Sequence, residues 1–393
     1  MGSSGPDPAP SPRGVTAFLL LSGALGAFSF WSTALAEITG ALLLLSAALV
    51  LRPSTLARVT LPLLPRLGLL FWALYVAAVL ASIVSAGSLS LARAGLLWHP
   101  LLFPAALLVP PARRTLRKAA MLFLAGGVSS AVLTVTIDAF RDRSAPIFAF
   151  TGLTTFADLL VLAAIVALSF FLPMVRPGRP VWGFAVPCIL IAFVVIWSAE
   201  RLPVLALAVL GGVRIASAGT RALALWVLCV GAPLFLGSTN LSDKTGWLIR
   251  GNHLDRYVVW EEGLKQIPGA PIFGYGPGSY PRVLPDEARK RFINLPPSSW
   301  HNDMIETWLD SGPIAAAALG ALVFLGVVAW MRGAWRGVRE WFYRPGGVEG
   351  LLFICLVAFG LAGSVVTTSV LGLAFWFLLG LTLNPLTAIV RSS

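Results

Sequence analysis

The chain is short of the side chains from which most active sites are built. Its 393 residues include only three histidines, three cysteines and 17 acidic residues, and charged residues make up 12%. The cysteines, Cys188, Cys229 and Cys355, each fall inside an apolar run, where a thiol behaves as a small hydrophobic group. The sequence therefore predicts neither a disulfide framework nor a metal site built on cysteine.

Apolar sequence is what the chain has in abundance. Hydrophobic residues make up 57% of it, and the mean hydropathy of +0.84 lies outside the range of soluble domains. Apolar runs of about 17 to 25 residues recur, which is long enough for a helix to cross a bilayer. The period-two alternation of a membrane β-barrel is missing. We predict an all-α polytopic membrane protein.

The apolar runs predict about twelve transmembrane helices and one long polar interval. The runs lie at 15–35, 38–51, 67–85, 94–109, 119–139, 156–174, 181–197, 202–213, 222–236, 313–330, 351–368 and 371–390. We expect residues 1–14 to be a disordered cytoplasmic N-terminus and 15–237 to hold helices 1–9. Residues 238–312 are expected to form a catalytic loop with short helices, and 313–391 to hold helices 10–12.

The basic residues predict on which side of the membrane this loop lies. With the N-terminus inside, short loops rich in Lys and Arg and nearly free of acids all fall on one side, as cytoplasmic loops do. The loop 238–312 then lies on the outer side. The net charge of +12 is accounted for by this topology signal, so no nucleic-acid partner is predicted.

The long loop holds two of the three histidines and about half of the acidic residues, so we expect any chemistry to gather there. Its first segment has helical periodicity that places Arg256 and Trp260 on one face. One interpretation is an interfacial helix with a solvated arginine. The other is that the guanidinium of Arg256 binds an anionic lipid headgroup.

Two further patterns in the loop concern anions. Gly274, Gly276 and Gly278 permit backbone amides to approach a phosphate, but no strand precedes them, so a tight turn is the simpler interpretation. Arg282 and the run 289–291 form a basic cluster, which is usually solvated and here also attracts anionic lipids.

The run 298–312 predicts a helix that ends at Gly-Pro. On this helix His301 shares a face with apolar residues, while Asp303, Glu306 and Asp310 line the opposite face. The carboxylates are then poorly placed to share a metal with the imidazole. A lone histidine on an apolar face usually serves packing, but at a membrane surface it is also suited to take up a proton near neutral pH.

A charged pair, Glu200 and Arg201, lies between two apolar runs on the same outer side. Ionisable groups at membrane depth are rare and are usually functional or paired with each other. A mutual ion pair at a short turn and a functional role both remain open for them.

Together these motifs resemble the bacterial O-antigen ligase superfamily, which also contains O-antigen polymerases and protein O-oligosaccharyltransferases. The resemblance rests on Arg-x-x-x-Trp (Arg256, Trp260), Phe-Gly-x-Gly-x-Gly-Ser (273–279) and His-Asn-x-x-x-Glu (301–306) in a late outer loop. Residues 197–201 look like the Ser-Arg-Gly element of that family, although two residues intervene and the glycine is replaced. The motifs cover only about 198–312.

The resemblance implies a membrane-embedded glycosyltransferase of the C-type fold in the bacterial inner membrane, with its site facing the periplasm. The implied donor is O-antigen linked to undecaprenyl diphosphate, the acceptor is lipid A-core oligosaccharide, and membrane lipids surround both. His301 would be the general base of an inverting transfer, and Arg201 and Arg256 would stabilise the diphosphate. No metal and no other cofactor is expected. Residues expected to contact substrate are Glu200, Trp260, Tyr275, Arg282, Arg289, Asn302 and Glu306.

Other functions stay open at this point. A polymerase or a protein-glycosylating enzyme would share the donor and the mechanism but not the acceptor. A transporter or flippase for lipid or polysaccharide would need ionisable residues distributed across the membrane, whereas here they cluster at one face. A non-catalytic assembly protein is the third alternative.

Overall fold

The computed structural model describes residues 12–51, 61–87, 95–109, 113–140, 153–171, 190–192, 194–195, 203, 206–208, 252–290, 299–334 and 347–384. Within these ranges the regular elements are all helical and no strand occurs. The prediction of an all-α chain is confirmed to that extent. The predicted spans 181–197, 202–213 and 222–236 lie wholly or mostly outside the described residues.

Thirteen α-helices are numbered here in chain order. They are α1 (Pro12–Ser29), α2 (Thr33–Val50), α3 (Leu63–Ser85), α4 (Gly95–Trp98), α5 (Leu102–Leu108), α6 (Arg113–Phe140), α7 (Leu153–Phe171), α8 (Asn252–Gln266), α9 (Tyr280–Val283), α10 (Asp286–Arg289), α11 (Asp303–Ala334), α12 (Gly347–Ala362) and α13 (Ser369–Leu383). Short 3₁₀ turns at His99–Leu101 and Ile267–Gly269 join α4 to α5 and extend α8.

Four stretches of the described helices are long and apolar enough to cross a membrane. They are Thr33–Val50, Leu63–Ser85, Lys118–Ile137 and Asp303–Arg332. Shorter apolar helices occur at Gly14–Ser29, His99–Leu108, Thr155–Ala167, Gly350–Leu361 and Val370–Leu383. These helices have the composition of a membrane protein.

The first two helices meet at a different point from the one the hydropathy pattern predicts. We placed the break after residue 35, but α1 ends at Ser29 and α2 begins at Thr33. Ser32 is extended, with φ −162° and ψ 131°, and its hydroxyl accepts a hydrogen bond from the amide of Leu35. A serine in this position caps a helix by satisfying one of its free amides. The α1 helix also begins inside the stretch 1–14, which we expected to be disordered.

Small residues bring α1 and α6 into close contact. A Cβ atom added to Gly23 would lie 2.5 Å from the Cα of Ala119, and one added to Gly126 would lie 2.6 Å from the Cα of Ala27. Close backbone approach through small residues is the usual way in which helices pack inside a membrane, where lipid offers little hydrophobic drive between them.

A histidine–glutamate pair ties the 3₁₀ turn to α2. His99 is buried, and its Nε2 lies 3.1 and 3.2 Å from the two carboxylate oxygens of Glu37. The sequence offered only a structural interpretation of His99, and this contact agrees with it.

The α11 helix bends at Gly312, which has φ 86° and ψ 173° and precedes Pro313. A Cβ atom there would collide with the carbonyl oxygen of Ile272. Glycine is required for both reasons, because other residues rarely adopt this conformation and no space is left for a side chain. The predicted helix end at Gly-Pro is thus a kink, and the helix continues to Ala334.

We predict that Gly312→Ala destabilises the protein by at least about 2 kcal/mol, because it adds both backbone strain and a steric clash. The matched control is Gly320→Ala, at a helical position with open space around the added methyl group. Thermal unfolding in detergent, followed by tryptophan fluorescence, should show a lower midpoint for the first variant only. Equal midpoints for the two variants would contradict this account of the kink.

Candidate functional site

The candidate site forms where α8 meets the turn that precedes α11. Trp260 donates a hydrogen bond from Nε1 to the backbone carbonyl oxygen of His301 at 3.1 Å. Arg256 lies one helical turn before Trp260, and its positive charge acts on the imidazole of His301. The predicted helix carrying Arg256 and Trp260 is confirmed. The structure therefore brings Arg256, Trp260 and His301 together from positions more than 40 residues apart in the chain.

His301 is not part of a helix, contrary to the prediction for residues 298–312. The α11 helix begins at Asp303, and Oδ1 of Asn302 caps it by accepting hydrogen bonds from the amides of Met304 and Ile305 at 3.0 and 3.1 Å. His301 itself has φ 51°, the only positive φ of a non-glycine residue in the described ranges. The prediction that His301 shares a helical face with apolar residues is wrong. Asparagine is a strong N-cap residue, so Asn302 was a signal for the true start of the helix.

The imidazole of His301 is neutral near pH 7. Burial, together with the positive charge of Arg256, lowers the pKa of His301 from 6.5 to about 4. Both causes disfavour the imidazolium cation. A neutral ring nitrogen can accept a proton, which is the first requirement of a general base.

The turn that carries His301 is fastened to the connection between α12 and α13. Ser299 Oγ lies 3.0 Å from Ser364 Oγ, and Ser364 donates to Oε2 of Glu306 at 2.7 Å. The amide side chain of Asn302 donates to the carbonyl oxygen of Leu361 at 2.8 Å. Glu306 and Asn302, which we expected to contact substrate, thus make contacts that hold the fold.

A second carboxylate on α11 binds the same connection. Oδ1 of Asp303 accepts hydrogen bonds from the backbone amides of Val365 and Val366 at 2.9 and 3.0 Å. Asp303, Glu306 and Asp310 are all buried, with 6%, 6% and 5% exposure. They do not line a solvated face, as their charge had suggested, because each is placed against hydrogen-bond donors.

The glycine-rich turn 274–279 folds around the third carboxylate. Asp310 accepts hydrogen bonds from the amides of Gly278 and Ser279 at 2.6 and 3.0 Å, and from the hydroxyl of Ser279 at 2.6 Å. Gly274, Gly276 and Gly278 all have positive φ, between 64° and 94°. The tight-turn interpretation is supported, since the amides that would cradle a phosphate already bind a carboxylate of the same chain.

Three other predicted substrate contacts are engaged within the loop. The hydroxyl of Tyr275 donates to the carbonyl oxygen of Gly269 at 3.1 Å, and Arg282 donates to the carbonyl oxygen of Tyr275 at 3.0 Å. Arg289 contacts the carbonyl oxygen of Pro281. None of these contacts involves His301.

Glu200 and Arg201, the remaining predicted site residues, lie outside the described residues. In the part of the chain that the structure describes, no three His, Cys, Asp or Glu side chains are grouped so that they could hold a metal ion.

The class that the described residues define is an all-helical protein with four helices able to cross a membrane and a histidine–arginine site beside the kinked helix. No model of a known protein family matches the chain, and no curated protein matches it significantly.

We predict that Asp310→Asn loosens the glycine-rich turn and lowers stability by about 1–3 kcal/mol, because an amide cannot accept all three hydrogen bonds. Asp286→Asn is the matched control, since the side chain of Asp286 is 83% exposed and takes part only in a long ion pair. Thermal unfolding should separate the two variants. The proposed role of Asp310 fails if they unfold together.

We also predict that Arg256→Gln raises the pKa of His301 from about 4 towards 6.5. The rise is incomplete because burial, the larger of the two causes, remains. The chemical shifts of ¹⁵N-labelled histidine during a pH titration measure it, with His301→Gln used to assign the signal. Arg282→Gln, on the neighbouring loop, should leave the titration unchanged, and an unchanged titration for Arg256→Gln would remove that arginine from the site.

Proposed function

We propose that the protein is a membrane glycosyltransferase that moves a glycan from undecaprenyl diphosphate to the lipid A-core oligosaccharide, as an O-antigen ligase does. The observation that supports this most is the pairing of a neutral, partly buried His301 with the cationic Arg256. The order of the motifs in the chain, which resembles the ligase superfamily, supports the choice of substrates.

The arginine suits the donor side of the reaction. A diphosphate leaves a sugar readily when positive charge stabilises its oxygens, and a guanidinium offers two parallel donors to them. No ion pair within the described ranges involves Arg256. Its charge is therefore available to an anionic ligand. Arg201 is proposed as a second cation, on the resemblance alone.

The histidine suits the acceptor side. The acceptor hydroxyl oxygen attacks the anomeric carbon, the bond from that carbon to the diphosphate oxygen breaks, and Nδ1 or Nε2 of His301 takes the hydroxyl proton. The lipid diphosphate leaves as an anion, and the configuration of the sugar inverts. This reaction needs no carboxylate nucleophile, unlike a retaining glycosidase.

Donor binding should also activate the base. A pKa of about 4 makes His301 a weak base in the empty site, whereas catalytic bases work best with a pKa near the working pH. A diphosphate beside Arg256 brings negative charge, which favours the imidazolium and raises the pKa of His301. Proton removal from the acceptor would then begin only after the donor is in place.

The topology belongs to the same proposal. We infer twelve transmembrane helices, a bacterial inner-membrane location and a site facing the periplasm. The four apolar helices and the Lys/Arg-rich short loops support this arrangement.

A reconstituted reaction tests the proposed function. Purified protein is given lipid-linked glycan together with either lipid A-core or a second lipid-linked glycan, without added metal, and the products are separated by gel electrophoresis. We expect extension of lipid A-core. Extension of the second glycan instead would identify a polymerase, and transfer to neither would overturn the transferase proposal.

We predict that His301→Asn lowers the transfer rate by at least about a hundredfold. Asparagine tolerates the left-handed backbone of this position, so the loss is chemical and not structural. Arg256→Lys should retain part of the activity and Arg256→Gln less, because a point charge lacks the planar fork of a guanidinium.

The control for these variants is Lys290→Gln, at an exposed cation of the same loop. It should transfer glycan at the normal rate. Normal activity of His301→Asn, or equal losses for the Arg256 and Lys290 variants, would contradict the assigned roles.

A further inference from the structure

The segment 257–273 exposes large apolar side chains to its surroundings. Tyr257 is 64% exposed, Leu264 58%, Ile272 59% and Phe273 37%. All other large hydrophobic residues with comparable exposure in the described ranges lie on the apolar helices, where lipid would cover them. The segment 257–273 is therefore the one described stretch outside those helices that shares their surface character.

The exposed side chains are not a leftover of the local core. The opposite side of α8 packs through Val259 and Trp260 into an apolar cluster that includes Trp300. Tyr257 and Leu264 are seven residues apart and so share the other face of the helix. The segment is amphipathic, with one apolar side already used by the protein and one unpartnered.

The contacts of Ile272 show where this segment lies along the apolar helices. Its carbonyl oxygen abuts Gly312, the residue before the long apolar part of α11. The neighbouring Asp310 accepts a hydrogen bond through its carbonyl oxygen from Ser82, near the end of α3. Ile272 therefore lies level with the point where one candidate span ends and another begins.

We propose that Tyr257, Leu264, Ile272 and Phe273 rest in the boundary between headgroups and acyl chains of the bilayer. Amphipathic helices at this depth bury an apolar face and keep charged groups beside it, and Lys265 next to Leu264 is 53% exposed and bound to Glu261 and Glu262. The segment is then an interfacial anchor that holds the site of His301 at headgroup level. This inference does not depend on the transferase proposal.

Fluorescence quenching by brominated lipid tests the anchor. Single cysteines are placed at Leu264 or Ile272 in a chain whose Cys188, Cys229 and Cys355 are replaced by alanine, and are labelled with bimane after reconstitution into phosphatidylcholine vesicles. The matched control is Glu287→Cys, at an exposed polar position of the same loop. We expect blue-shifted emission at 264 and 272 that is lost when the acyl chains carry bromine. The control should show the emission of a probe in water and no such loss.

Emission typical of water at either position overturns the proposal. A blue shift that bromine does not quench also overturns it, because the side chain is then covered by protein and not by lipid. Photocrosslinking from benzoylphenylalanine at position 272 in the native chain gives a second measurement that does not depend on replacing cysteines. A crosslink to phospholipid supports the anchor, and a crosslink within the chain contradicts it.

Discussion

Three buried carboxylates at the start of α11 must each find hydrogen-bond donors, and the site depends on how they do so. Asp303, Glu306 and Asp310 fall on one face of the helix, since they are three and seven residues apart. An unsatisfied carboxylate in this environment would cost several kcal/mol. Asp303 and Glu306 take their donors from the connection between α12 and α13, and Asp310 takes its donors from the glycine-rich turn.

The consequence is a site fixed from several sides. The helix that begins at Asp303 is tied to two loops far away in the sequence, and His301 lies two residues before it. The turn at His301 is further bound by Trp260 from α8 and by Ser299 and Asn302 towards α12. The left-handed conformation of His301 is costly for a non-glycine residue and persists only where its surroundings determine it. Strain of this kind concentrates at functional positions, which agrees with the role proposed for this histidine.

Much of the local structure could be predicted from sequence. Helical periodicity located α8, and the Gly312–Pro313 pair located the break in α11. The meeting of Arg256 with His301 was expected from a family resemblance and not from any pattern of residues, because no sequence rule joins side chains 45 positions apart. Their closeness in the structure is independent of that resemblance.

The burial of the acidic residues was not predictable by the same means. Pattern analysis assigns charged side chains to the solvated face, since they are rarely buried unless paired, and their partners here are backbone amides of distant loops. The same limit applies to Gly274–Ser279, where the anion bound by the amides is the carboxylate of Asp310 and not a phosphate. Asn302 is different, because its capping preference was readable and was passed over in favour of earlier serines.

The central claim is that a lipid diphosphate binds beside Arg256 and, in doing so, makes His301 a stronger base. The most direct measurement is the pKa of His301, followed by NMR in detergent, with and without saturating undecaprenyl diphosphate. The account predicts that the ligand raises this pKa from about 4 towards neutrality. A pKa that stays the same when the ligand is bound would place the diphosphate elsewhere and contradict the account.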